Sequence, residues 1–153
     1  MKTSDNGIKH LIELEGLRTE PYKDVKGFAT EGVGHLMVTS GGRPIEFKEY
    51  QLVAKYRKVF NEADARALLA EDLKIYEAAV NEAINVDLTQ NQFDALVSLC
   101  FNIGCRGFKA SSVVKAVNNN PFDYVTIVKA WMLWNKPRVL VGRRIKETIY
   151  YKK

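Results

Sequence analysis

The sequence predicts an α+β fold, a small antiparallel β-sheet beside a mostly helical body. Glycine and proline crowd residues 17–45 around short strand-like runs, the mark of a turn-rich sheet. From Asn61 onward, apolar residues recur at intervals of three or four, the mark of helices that bury one face. At 153 residues the chain suits one globular domain and is too short for two independent cores. It is therefore read as a single domain over 1–153, with a β-rich lobe at about 17–60 and a helical body made of 1–16 and 61–153.

Each element has a local reason. Ser4 is a good N-cap and Gly16 a good C-terminal stop, so the first helix runs from Ser4 to about Glu15. Leu68, Leu69, Leu73, Tyr76, Val80 and Ile84 place one long amphipathic helix after Asn61. Thr89-Gln90-Asn91-Gln92 matches a capping box, and Phe93, Leu96, Val97 and Cys100 then form an apolar stripe ending near Gly104. Ser111 or Ser112 starts a shorter helix that Asn118 to Pro121 breaks. Another helix follows from Phe122 to Trp134, and a last one from about Val141 to Tyr151.

Composition narrows the function. No run approaches the roughly 20 apolar residues of a membrane span. Met1 to Asn6 is polar, so neither a signal peptide nor an anchor is expected, and the chain stays where it is made until something releases it. Cys100 and Cys105 are read as two unpaired structural thiols of a reducing compartment. Residues 1–100 hold 12 Lys and Arg against 16 Asp and Glu, whereas 101–153 hold 11 against 2; the formal net charge of +5 thus conceals −4 followed by +9. The basic C-terminal third suits an anionic polymer or membrane face. No nucleic-acid-binding signature accompanies that charge, so nucleic acid is not expected as a partner. No metal-ligand spacing and no phosphate-binding glycine loop is present, so neither a metal nor a cofactor is expected.

Three residues could carry chemistry. Ile8, Leu11 and Ile12 mark the apolar face of the first helix, and Glu15 is the next position on it. Partial desolvation and the negative end of the helix dipole both favour a carboxyl group that keeps its proton, as a general acid must. The competing role is a solvated carboxylate or an ion pair with Arg18. Asp24-Val25-Lys26-Gly27 suits a type I turn, and a hydrated carboxylate at its tip would stay ionised. Two carboxyl groups pushed in opposite directions are what a glycosidase requires. Thr30 lies on the return strand, where Gly32 and Gly34 imply a bulge or a close backbone approach. His35 is expected to orient nearby groups rather than bind metal.

Glu15, Asp24 and Thr30, followed by Gly32-Val33-Gly34-His35, together resemble the catalytic stretch of phage-type lysozymes. Gln92-Phe93-Asp94-Ala95-Leu96-Val97-Ser98 and Phe101-Asn102-Ile103-Gly104 are similar to that family's central helix, and Trp134 with Arg143-Arg144-Ile145-Lys146-Glu147 to its C-terminal signature. The resemblance implies a lysozyme-like fold with the active-site cleft between the sheet and the helical lobe. It implies an endolysin, a muramidase cleaving the bond between N-acetylmuramic acid and N-acetylglucosamine. Glu15 would protonate the glycosidic oxygen, Asp24 would assist water or stabilise positive charge on the sugar, and Thr30 would position that water. Leu36, Phe101, Asn102 and Ser111 would contact substrate. The expected partners are peptidoglycan and an anionic outer-membrane surface met through the basic C-terminal region. A monomer would wait in the host cytoplasm until a holin pore admits it to the periplasm and cell wall. Glu46 to Lys58 resembles an insertion, read as a longer connection, and Val139-Leu140 departs from the usual residues before the paired arginines. Three other readings remain at this level: a lytic transglycosylase, against which Asp24 and Thr30 argue, a non-enzymatic cationic envelope-binding or membrane-disrupting protein, and the lytic domain of a phage tail or virion protein.

Overall fold

A helix start leaves backbone N–H groups without partners, and Ser4 supplies one. In the computed structural model, which describes all 153 residues, α1 spans Asp5–Glu15. Ser4 Oγ accepts the Gly7 N–H at 3.0 Å. Gly16 ends the helix, donating its N–H to the Ile12 carbonyl at 2.7 Å. The chain forms two compact units, one made of Met1–Lys9 with Leu73–Lys153 and the other of His10–Asp72.

The 10–72 unit holds the sheet. Strands β1 (Arg18–Lys23), β2 (Ala29–Gly32) and β3 (His35–Leu36) pair antiparallel in sequence order. Tyr22 stands opposite Thr30, Thr30 opposite Leu36, and Glu31 opposite His35. All four β2 residues are buried. Ala29, Met37, Ile45 and Val53 form the core cluster, with Phe47, Leu52 and Tyr56 packed against it. Val53 comes from α2 (Tyr50–Tyr56), so the 46–58 segment contains a helix that helps close this core. Seven helical residues span only two turns, too few for a clear period in the sequence.

Glu31 is only 1% exposed. Its Oε1 accepts the backbone N–H groups of Lys58 and Val59, each at 2.9 Å. These charge-assisted bonds hold the segment after α2 against β2. Gly32 faces Val59, whose Cγ2 lies 3.3 Å from where a β-carbon would stand. The long helix α3 (Glu62–Ala83) follows.

The other unit is built on α4 (Gln90–Ile103). Its capping box is complete: Thr89 Oγ1 accepts the Gln92 N–H at 3.1 Å, and Gln92 Oε1 accepts the Thr89 N–H at 2.9 Å. Every residue from Gln92 to Cys100 is buried, so α4 is enclosed on all sides rather than along one stripe. Its buried polar groups all have partners. Asp94 accepts the Ser4 N–H (3.0 Å), the Ser4 hydroxyl, Gln90 Nε2 (2.8 Å) and the Tyr150 hydroxyl (3.1 Å). Around α4 run α5 (Cys105–Lys109), α6 (Ser112–Asn119), α7 (Tyr124–Trp131) and α8 (Leu140–Lys152). Ser111 is the cap of α6, its hydroxyl 3.3 Å from the Val114 N–H. α7 is shorter than Phe122 to Trp134: it begins after its cap Asp123, which accepts the Thr126 N–H at 3.3 Å, and ends at Trp131.

The paired arginines turn inward. Arg144 is fully buried and Arg143 nearly so, both bonded to the buried Glu147. They hold α8 to the core instead of adding to the basic surface. Cys100 is buried and Cys105 half-buried, both as free thiols. Burial, and then the adjacent Cys105, push the Cys100 thiol well above its usual range. No helix is long and apolar enough to cross a membrane.

Candidate active site

A carboxylate at a turn needs backbone donors to fix its direction. Asp24 Oδ1 accepts the N–H groups of Lys26 and Phe28, both at 2.8 Å. The Gly27 N–H closes the turn on the Asp24 carbonyl at 3.1 Å. Gly27 has a φ of +89°, which a side chain would oppose. Both side-chain bonds fall on Oδ1, so Oδ2 keeps its lone pairs clear of the backbone.

Glu15 closes α1 and is half-buried. The tight turn from β2 to β3 comes beside it: a β-carbon at Gly34 would lie 3.9 Å from Glu15 Oε2. Gly34 has a φ of +64°, so the turn itself also favours glycine. Tyr22 reports on both carboxyl groups. Burial raises its phenol above the usual range, and the negative charges of Glu15 and Asp24 push the same way. Arg18, with its guanidinium carbon 4.6 Å from the Tyr22 ring centre, and a backbone hydrogen bond at Gly34 act in the opposite sense.

Residues directly opposite across a sheet share a face. Tyr22, Thr30 and Leu36 therefore form one row across β1, β2 and β3. Thr30 is buried, and its hydroxyl makes only a long contact of 3.5 Å to the Phe28 carbonyl. That leaves the hydroxyl capable of a stronger bond. Leu36 is 39% exposed. His35, on the alternate face, has Nδ1 2.7 Å from Asp72 Oδ2, a partner that fixes the ring. No group of three His, Cys, Asp or Glu side chains is arranged to hold a metal ion.

The 10–72 unit thus gathers Glu15, Asp24, Thr30 and Leu36. The remaining expected contacts belong to the other unit. The Phe101 ring meets Tyr76 edge-on, centroids 5.1 Å apart. Asn102 Oδ1 accepts a hydrogen bond from Arg144, and Ser111 is buried under its own cap. Sequence reasoning passed over Tyr22 and Glu31. Tyr22 could have been found from its position two residues before Asp24 and, through the hairpin register, opposite Thr30. Nothing local distinguishes Glu31, whose partners lie 27 and 28 positions away.

The model of the phage lysozyme family matches residues 12–147. The endolysin of Salmonella phage P22 is 37% identical over 151 residues, covering 96% of this chain and 95% of its own. Among solved structures, a mutant of P22 lysozyme superposes with a TM-score of 0.82 at 33% identity, over 100% of this chain and 99% of its own. The endolysin of Escherichia coli O157:H7 phage FAHEc1 gives the same TM-score at 31% identity, over 99% and 93%. With its turn-held Asp24, its helix-ending Glu15 and this likeness along nearly its whole length, the chain belongs to the phage lysozyme family.

Proposed function

We propose that Glu15 is the general acid, Asp24 the carboxylate that activates water and Thr30 the hydroxyl that positions it, in cleavage between N-acetylmuramic acid and N-acetylglucosamine. As a phage lysozyme the chain is a glycoside hydrolase, a muramidase that lyses peptidoglycan. The observation that carries the assignment is geometric: Asp24 is fixed by the Lys26 and Phe28 amides, Glu15 Oε2 lies beside the Gly34 turn, and Thr30 stands in the row between Tyr22 and Leu36.

In this scheme Glu15 gives its proton to the glycosidic oxygen as the C–O bond breaks and positive charge develops on the sugar ring. Water attacks the ring carbon and loses a proton to Asp24 Oδ2, while Oδ1 stays anchored by Lys26 and Phe28. Thr30 accepts or donates one hydrogen bond to that water. Leu36, on the same row, would pack against a sugar face. Phe101, Asn102 and Ser111 are proposed as further substrate contacts on the strength of the family resemblance. Residues 1–153 would act as one lysozyme-like domain and as a monomer. Release from the host cytoplasm would use a pore formed by a separate holin, with the chain then acting in the periplasm.

The test is release of new reducing ends from purified peptidoglycan, comparing wild type with Glu15→Gln. Loss of a general acid lowers the rate by about 10²–10⁴-fold. That loss, with an unchanged melting temperature, supports the scheme, and equal activity in the mutant removes Glu15 from its role. Soluble fragments without new reducing ends would make the enzyme a transglycosylase. Cells killed equally by both proteins without glycan cleavage would make it a cationic envelope-active protein.

A further inference from the structure

The α6–α7 face is apolar where solvent reaches it. Val125 and Leu133 are 82% and 69% exposed. With exposed Lys129 between them they recur every four residues along one side of α7 and the turn beyond it. Phe122, just before the α7 cap, is exposed as well. Beside this stripe an open groove of about 430 Å³ runs between α6 and α7, lined by Ser112, Lys115, Ala116, Lys129, Ala130 and Leu133.

The charge around the groove is mostly positive. Residues 101–153 contain only two acidic side chains, Asp123 and Glu147. Asp123 caps α7, and Glu147 is buried between Arg143 and Arg144. Solvent here meets Lys115, Lys129, Val125, Leu133 and Phe122, with Asp123 the single acidic group beside them, a composition close to that of a surface that lies in a membrane interface. A second copy would bring the same positive face and be repelled. A nucleic acid would press its phosphates against Val125 and Leu133, which offer them nothing.

We propose that the α6–α7 face docks the protein on an anionic phospholipid bilayer. Val125 and Leu133 enter the headgroup boundary, and Lys115 and Lys129 meet the lipid phosphates. None of Lys115, Val125, Lys129 and Leu133 is among the residues proposed for glycan cleavage or substrate contact, so changes there test docking apart from catalysis.

Binding is measured by co-sedimentation with vesicles of phosphatidylglycerol and phosphatidylcholine, and with phosphatidylcholine alone, at low and high salt. Wild type should partition to the anionic vesicles only and release as salt rises. Each lysine near the surface contributes about fivefold to partitioning, so Lys115→Gln with Lys129→Gln should lower it roughly 25-fold. Val125→Ser with Leu133→Ser should lower it by about tenfold or more. Both double variants should keep the wild-type melting temperature and the wild-type rate on solubilised peptidoglycan. The control, Lys152→Gln with Lys153→Gln, should weaken binding less than either. No binding to anionic vesicles overturns the proposal. So does an equal effect of the control pair, which would mean diffuse charge, or a concentration-dependent dimer abolished by the Val125 and Leu133 changes.

Discussion

Replacing Glu147 with alanine would leave the Arg144 guanidinium in the core without its carboxylate. Both side chains are fully buried and 2.7 Å apart. Glu147 Oε1 also accepts the Trp131 indole N–H at 3.3 Å, while Oε2 accepts the Ser98 hydroxyl at 2.5 Å and Arg143 Nε at 3.3 Å. Breaking a buried pair by deleting one partner costs about 3–5 kcal/mol, because the remaining charge is neither solvated nor neutralised. For a chain of this size each kcal/mol lowers the melting temperature by about 2–4 °C, so the fall should be roughly 6–20 °C. Arg144→Ala should cost a similar amount, since it also strips donors from the Trp134 carbonyl and Asn102 Oδ1. The double variant should lose about 2 kcal/mol less than the sum of the singles, because neither charge is then stranded. Urea unfolding followed by tryptophan fluorescence reads all three, with Trp131 in the cluster as a local probe. A cost below about 1 kcal/mol for Glu147→Ala, or strictly additive singles, would refute the claim that this pair carries an internal charge balance.

Asp72→Asn should destabilise by about 1–3 kcal/mol in thermal unfolding through loss of the 2.7 Å bond to His35, and should cost almost nothing in a His35→Asn background. Glu31→Gln removes the charge that draws the Lys58 and Val59 amides; hydrogen exchange at those two positions should accelerate by roughly tenfold or more, while exchange in α4 is unchanged. The Tyr150 phenol is pushed up to about 12 by burial and then by Asp94, against about 10 in an unfolded chain. The folded state thus prefers the neutral phenol. Its contribution is complete below pH about 10 and is lost as pH rises towards about 12. Chemical unfolding across that range should show a shallower alkaline loss in Tyr150→Phe than in wild type.

The parts of the fold that depend on neighbours in sequence were readable from it. Ser4 before α1, Thr89 with Gln92 at α4 and Asp24 with Gly27 at the β1–β2 turn each satisfy backbone groups within four residues of themselves. The placing of Glu15 at a helix end and of Asp24 at the head of a turn was legible for the same reason. What stayed hidden depends on distant partners. The polar residues inside α4 look like a solvated face until Asp94 is seen to collect Ser4 and Tyr150, and Ser98 to reach Glu147 across 49 positions. Arg143 and Arg144 read as surface charge because nothing near them in sequence reveals how deeply α8 is set. α2 escaped because so short a helix owes its existence to Val53 meeting Met37 and Ile45 rather than to its own period.

Asp94 also bears on the order in which the molecule can be assembled. It joins Ser4, 90 positions earlier, to Tyr150, 56 positions later, and Gln90 beside it holds the Lys2 carbonyl. A ribosome making this chain emits every residue of the 10–72 unit in one continuous stretch, so that unit can close while synthesis continues. The first nine residues belong to the other unit and must wait. Their docking carboxylate emerges only after the whole sheet and α3, and Tyr150 56 positions later still. Residues 1–9 thus find their place only after partners made some 80–90 positions later, and losing Tyr150 would loosen Ser4 as surely as α8.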